Sequence, residues 1–177
     1  MRCRLRRATR IPATPAVPAE RGVIVGIGVD VCEVARIDQA LRAGSGARFR
    51  ARVFTDAEVA SCEGRGRARM ESYAASFAAK EAALKALGTG WAGGLAWHEV
   101  EVVREAGGRP RLALHGAAAT RARRLGVASA HLTLSHTGEL AVAMVVLEAG
   151  AVSRRTPGRA AAGVARSTRP RSRRRSR

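Results

Sequence analysis

The sequence predicts an α+β fold in which helices, one of them long and central, pack on a mostly antiparallel sheet. Three observations predict it. The β-branched run VIVGIGVDV at residues 23–31 reads as a buried strand. Residues 69–87 carry the longest helical pattern, rich in Ala, Leu and Glu. Two apolar segments, 131–135 and 140–147, flank a short polar turn, as the arms of a hairpin do.

In chain order, the first strand ends near Asp30. Val34, Ile37 and Leu41 then recur at helical spacing, and Gly44-Ser-Gly46 stops that helix. Phe54-Thr-Asp-Ala-Glu58 predicts a helix start: Thr55 can cap, and Glu58 stands where a capping box needs it. A glycine-rich loop at 64–67 precedes the long helix, and Gly88-Thr89-Gly90 ends it. Residues 99–103 alternate like a strand, Gly107-Gly-Arg-Pro110 turns, and 111–114 form a second short strand. Residues 116–125 suit a short helix with solvated arginines. The hairpin closes the pattern.

The chain has 177 residues, 46% hydrophobic but only 3% aromatic, so its core must come mostly from Ala, Val and Leu. No run of 18 or more apolar residues occurs, so no membrane span is expected. The net charge of +18 is unevenly spread. Residues 1–21 hold six Arg and one Glu, and residues 150–177 hold ten Arg and no acid, whereas 22–149 hold 16 basic and 13 acidic residues. The expected organisation is a disordered basic N-terminal extension (1–21), one domain (22–149) and a disordered Arg-rich tail (150–177). Such ends bind nucleic acid at most non-specifically; an over-extended reading frame explains them equally well. Three scattered cysteines, Cys3, Cys32 and Cys62, fit neither a disulfide framework nor a zinc site and point to a reducing cytoplasm.

Of the 32 basic residues only Lys80 and Lys85 are lysine, and they flank Glu81. Glu81 and Lys85 share a helix face. They read either as an ordinary solvated pair or as part of a site beside the flexible Gly-Thr-Gly corner. Asp30, at a strand end, reads either as a helix cap or as a carboxylate in need of a partner. Together, Asp30 and Glu81 could supply hard oxygen ligands, with lysine charge beside them. Mg²⁺ is held in this way by one or two carboxylates plus phosphate oxygens. A compact ammonium serves phosphate as a point charge where arginine demands a planar fit. Ser135-His136 lacks a nucleophile elbow, and neighbours on a strand point to opposite faces, which argues against a catalytic triad.

Four segments, GIGVDVCEVARI (26–37), FTDAEVA (54–60), SFAAKEAALKALGTG (76–90) and HLTLSHTGELAVAMVVLE (131–148), resemble in order the blocks of holo-[acyl-carrier-protein] synthases. These are the short, single-domain group of 4′-phosphopantetheinyl transferases. The resemblance spans roughly residues 23–148. It implies a transferase that moves the 4′-phosphopantetheine of coenzyme A to a serine of apo acyl carrier protein, with Mg²⁺ as cofactor, in support of fatty acid biosynthesis. It assigns Asp30 and Glu81 to the metal, and Glu81 and Lys85 to catalysis. Lys80, Lys85, Gly88, Thr89, Gly90, Ser135 and His136 would line the coenzyme A site. Arg36, Arg42, Arg48 and Arg52 would meet the acidic carrier protein. The resemblance further implies a cytoplasmic homotrimer with sites between subunits. Such proteins begin close to the first strand, which predicts a translation start near Val23. They usually carry Arg where this chain has Ser76.

Overall fold

The structure is a computed structural model that describes residues 22–90 and 94–150. The expected disordered ends, 1–21 and most of 150–177, lie outside the described residues.

Ten elements follow one another: β1 (Val23–Glu33), α1 (Val34–Arg42), α2 (Gly46–Val53), α3 (Asp56–Glu63), α4 (Arg69–Ala86), β2 (Val100–Arg104), β3 (Pro110–Leu114), α5 (Gly116–Arg124), β4 (Val127–His136) and β5 (Leu140–Ala149). The strands form two antiparallel sheets, ordered β1-β5-β4 and β2-β3. The expected α+β architecture is what forms.

β1 runs beyond Asp30 to Glu33, because Cys32 and Glu33 still pair with Ala141 and Leu140 of β5. The strand is then turned into α1 by the hairpin itself: Val34 N donates to Glu139 O at 2.8 Å. α2 is a helix that the sequence reading passed over. Its Arg48, Arg50 and Arg52 mask a short apolar stripe of Phe49 and Val53, and its Gly46 allows α1 to come close, since a Cβ there would lie 2.0 Å from Leu41 O. α3 starts on the expected capping box: Thr55 Oγ1 accepts from Glu58 N at 3.2 Å, and Glu58 Oε2 accepts from Thr55 N at 2.9 Å.

α4 lies across the inner face of β1 and β5. Two glycines make this possible. A Cβ on Gly28 would stand 1.9 Å from Ala82 O, and one on Gly26 2.1 Å from Ala86 O. With Ala141 and Ala143 on β5 also fully buried, strand and helix backbones meet over small side chains. That is how a chain so poor in aromatics closes a core. The described aromatics cluster toward the start of α4, where Phe77 stacks on Trp97 at 4.9 Å and Phe54 meets Tyr73 edge-on at 5.0 Å.

Among the described residues nothing covers the outer face of the three-stranded sheet in this way. Ile27, Val29 and Val31 of β1 stand beside Val146, Met144 and Val142 of β5, and Val29, Val31, Val142 and Met144 are all exposed. Among the described residues no helix is long and apolar enough to cross a membrane.

Candidate active site

The seam between β1 and α4 gathers the first charged groups. Successive residues of β1 face alternate sides of the sheet, so Val29 points outward and Asp30 toward α4. Lys85, one helical turn beyond Glu81 on the same face, donates from Nζ to Asp30 Oδ1 at 2.8 Å and to the Val29 carbonyl at 3.0 Å. Burial pushes the thiol of Cys32 up to about 11; Arg36 opposes that rise, and the carboxylates of Asp30, Glu33 and Glu81 add to it. Lys85 thus ties Asp30 to the helix face that carries Glu81, and both carboxylates lie near enough to Cys32 to act on its thiol. Asp30 does not cap α1: the residue at that position is Glu33, which makes no side-chain cap bond.

α4 ends within one turn of Lys85. Gly88 and Gly90 take φ of +70° and +50°, conformations that a side chain would strain. Thr89 N and Gly90 N both close on Leu84 O, at 3.2 and 3.3 Å. Arg121 of α5 donates to Leu87 O at 3.1 Å and secures the same end. Thr89 borders a cavity of about 440 Å³ walled by Leu95, Thr120, Arg121 and Arg124.

The other expected site residues are dispersed. His136 pairs with Ala141, in line with Cys32, on the helix side of the sheet; Ser135 pairs with Val142 and lies on the open outer face. Within one chain these two neighbours therefore address different surroundings. Arg36 sits over the Phe77 ring at 5.7 Å. Arg42 pairs with Asp38 at 2.8 Å. Arg48 and Arg52 border a hollow with Ser45 and Phe49.

Lys80 departs from expectation. It was expected to line the coenzyme A site, yet it is 0% exposed and forms an ion pair with Glu58 at 2.8 Å. The helical offset of about 100° from Glu81 carries it past the seam and into the core. Burial pushes its ammonium below the ordinary lysine range, and Glu58 works against that shift. Glu58 is the residue that sequence reasoning undervalued: its capping role was legible, its burial at 1% exposure was not. Ser76 also points inward, its hydroxyl 3.9 Å from Cys62 Sγ, a place with no room for an arginine head. The nearby Arg69 is engaged with Glu63 at 3.0 Å.

The chain is similar to known proteins in sequence and in structure. Residues 26–145 match the family model described as the 4′-phosphopantetheinyl transferase superfamily, ACPS. The holo-[acyl-carrier-protein] synthase of Koribacter versatilis is 51% identical over 126 residues, covering 71% of this chain and 99% of that protein. That of Anaeromyxobacter dehalogenans is 56% identical over 129 residues, with 71% and 97% covered. Among solved structures, the Bacillus anthracis holo-(acyl-carrier-protein) synthase in complex with CoA (3′,5′-ADP) has a TM-score of 0.59 and 36% identity, over 72% of this chain and 98% of that one. The Helicobacter pylori holo-[acyl-carrier-protein] synthase in complex with coenzyme A has a TM-score of 0.60 and 26% identity, over 68% and 98%. The fold, the order of the four sequence blocks and this likeness agree: the chain is an enzyme that belongs to the holo-[acyl-carrier-protein] synthase family of 4′-phosphopantetheinyl transferases.

Proposed function

We propose that this enzyme transfers the 4′-phosphopantetheine group of coenzyme A to a serine of apo acyl carrier protein, with Mg²⁺ as cofactor, in fatty acid biosynthesis in the cytoplasm. The observation that carries the reading is the bond from Lys85 Nζ to Asp30 Oδ1, on the same helix face as Glu81. It joins an ammonium to one carboxylate on the helix face that carries the second.

The donor set fits Mg²⁺. Asp30 and Glu81 offer hard oxygens. Two carboxylates, with water and diphosphate oxygens filling the remaining positions, suit this ion. Bound there, Mg²⁺ supplies charge neutralisation at the diphosphate.

In the transfer, the carrier serine oxygen bonds to the phosphorus that bears pantetheine. The bond from that phosphorus to the bridging oxygen breaks, adenosine 3′,5′-bisphosphate departs, and the serine proton is lost. Lys85 holds its ammonium where negative charge spreads over the phosphoryl oxygens, or where the serine proton leaves. Gly88, Thr89 and Gly90 let the coenzyme approach the backbone closely. Ser135 and His136 contribute hydrogen bonds, Ser135 across a subunit boundary because it lies on the outer sheet face. That uncovered apolar face supports a homotrimer. Arg36, Arg42, Arg48 and Arg52 would steer and orient the acidic carrier protein.

The test is the mass of apo acyl carrier protein after incubation with the enzyme, coenzyme A and Mg²⁺. A gain of one phosphopantetheine is expected; an unchanged mass with folded enzyme and its native carrier overturns the assignment.

A further inference from the structure

Lys80 and Glu58 form a closed cage. Lys80 Nζ donates to Glu58 Oε2 at 2.8 Å, to Trp97 O at 3.1 Å and to Val100 O. A lysine ammonium has three protons, and here all three have acceptors. Glu58 in turn accepts from Val102 N at 2.8 Å and from Thr55 N at 2.9 Å. Among the described residues no buried side-chain nitrogen or oxygen lacks a partner. Four segments meet at this pair: the start of α3, the middle of α4, the turn Trp97–Glu99 and strand β2.

The position of the cage on α4 matters. On one flank of the helix, Ala82 and Ala86 are pressed against Gly28 and Gly26 of β1. On another, Lys80 is held by β2 and α3. Two fixed flanks leave the helix no freedom to roll about its axis. The rotation so fixed is the one that presents Lys85 to Asp30, with Glu81 on the same helix face. Trp97 O, one acceptor of Lys80, also lies where the chain returns from the Gly88–Gly90 corner.

We propose that Lys80, with Glu58, is a positioning residue: it never touches coenzyme A, and it sets the roll of α4 and so the alignment of the Asp30, Glu81 and Lys85 corner. This rests on the function proposed above. It also explains why the position needs lysine. A guanidinium brings five donors in a plane, and a cage of three acceptors would leave N–H groups buried and unpaired.

The informative variant is the double substitution Glu58→Gln with Lys80→Met in the full chain. Lys80→Met alone strands a buried carboxylate and risks unfolding, whereas removing both charges together leaves no buried ion uncompensated. Lys80→Arg serves as the conservative comparison. The double variant should melt cooperatively and bind coenzyme A with an affinity close to wild type. Its kcat should fall on the order of 100-fold, with KM for coenzyme A little changed and half-saturating Mg²⁺ raised. Amide exchange in residues 81–85 should accelerate. Lys80→Arg should not restore kcat. Weakened coenzyme A binding at unchanged kcat would make Lys80 a direct ligand and overturn the proposal. Wild-type kcat with wild-type Mg²⁺ dependence would leave the pair a purely structural one and overturn it too. Should the wild-type enzyme transfer nothing, the parent reading fails, and the exchange measurement still decides the cage: unaltered protection of 81–85 refutes it.

Discussion

Lys85 Nζ stands 2.8 Å from Asp30 Oδ1, and through this bond helix α4 reaches strand β1 at the candidate site. The lysine head is half exposed, with 48% of its side chain accessible, so the bond is a poor source of stability. An exposed pair contributes about 0–1 kcal/mol. Under the function proposed above, its value lies in placing an ammonium beside a carboxylate that would hold a cation.

Asp30→Ala should therefore separate stability from activity. The melting temperature should barely move, while transfer to apo carrier protein drops on the order of 100-fold or more. Parallel calorimetry and carrier mass assays would check this. Retained turnover would remove Asp30 from the metal site.

Gly28→Ala should strike stability directly. The new Cβ would sit 1.9 Å from Ala82 O and 2.8 Å from Ala86 N, backbone atoms that cannot step aside. Overpacking of this kind costs about 3 kcal/mol. Urea denaturation should show that loss, whereas Gly44→Ala, with nothing within 4 Å, should leave the midpoint near wild type.

Thr55→Ala removes the α3 cap and the bond from Thr55 Oγ1 to Glu101 Oε1 at 2.9 Å. A loss of roughly 1–2 kcal/mol is expected, and Thr55→Ser, which keeps the oxygen, should recover most of it in the same denaturation assay.

Stability should fall in alkali. Burial pushes both Cys32 and Cys62 from the ordinary thiol value near 9.0 up to about 11. Between those values the unfolded thiols have lost their protons and the folded ones have not, so each rise in pH favours unfolding. Each thiol contributes a slope approaching about 1.4 kcal/mol per pH unit in that window. Denaturation midpoints measured from pH 8 to 11 should decline, and Cys62→Ala should flatten the decline even if it lowers stability at pH 8.

Val142→Asp places a charge in the centre of the outer sheet face, where Val142 pairs with Val31 and Ser135. If that face joins subunits, sedimentation should find monomers in place of a trimer, and activity should fall with assembly. An unchanged particle mass would rule this face out as the subunit contact.

The strands, the capping box at Thr55 and the long helix were all legible locally, because each depends on residues within a few positions of one another. α2 was not, since three arginines hid the two apolar residues that seat it. The corner of Asp30, Glu81 and Lys85 was half legible. Residue types and helical spacing pointed to it, and the glycines at 26 and 28 were visible as breaks in a strand. Their use, to let a helix backbone lie against the sheet, depends on what arrives from elsewhere in the chain.

By itself, the sequence determined the order of elements other than α2 and the placing of Glu81 with Lys85 on one helix face, for both follow from backbone periodicity. Only the tertiary structure decided which lysine is which. Lys80 and Lys85 look alike on a helix, five positions apart. One meets Glu58 and two backbone carbonyls inside the core, and the other meets Asp30 at the surface. A charge takes its role from the groups that surround it, and those groups come from strands and helices that only folding brings together.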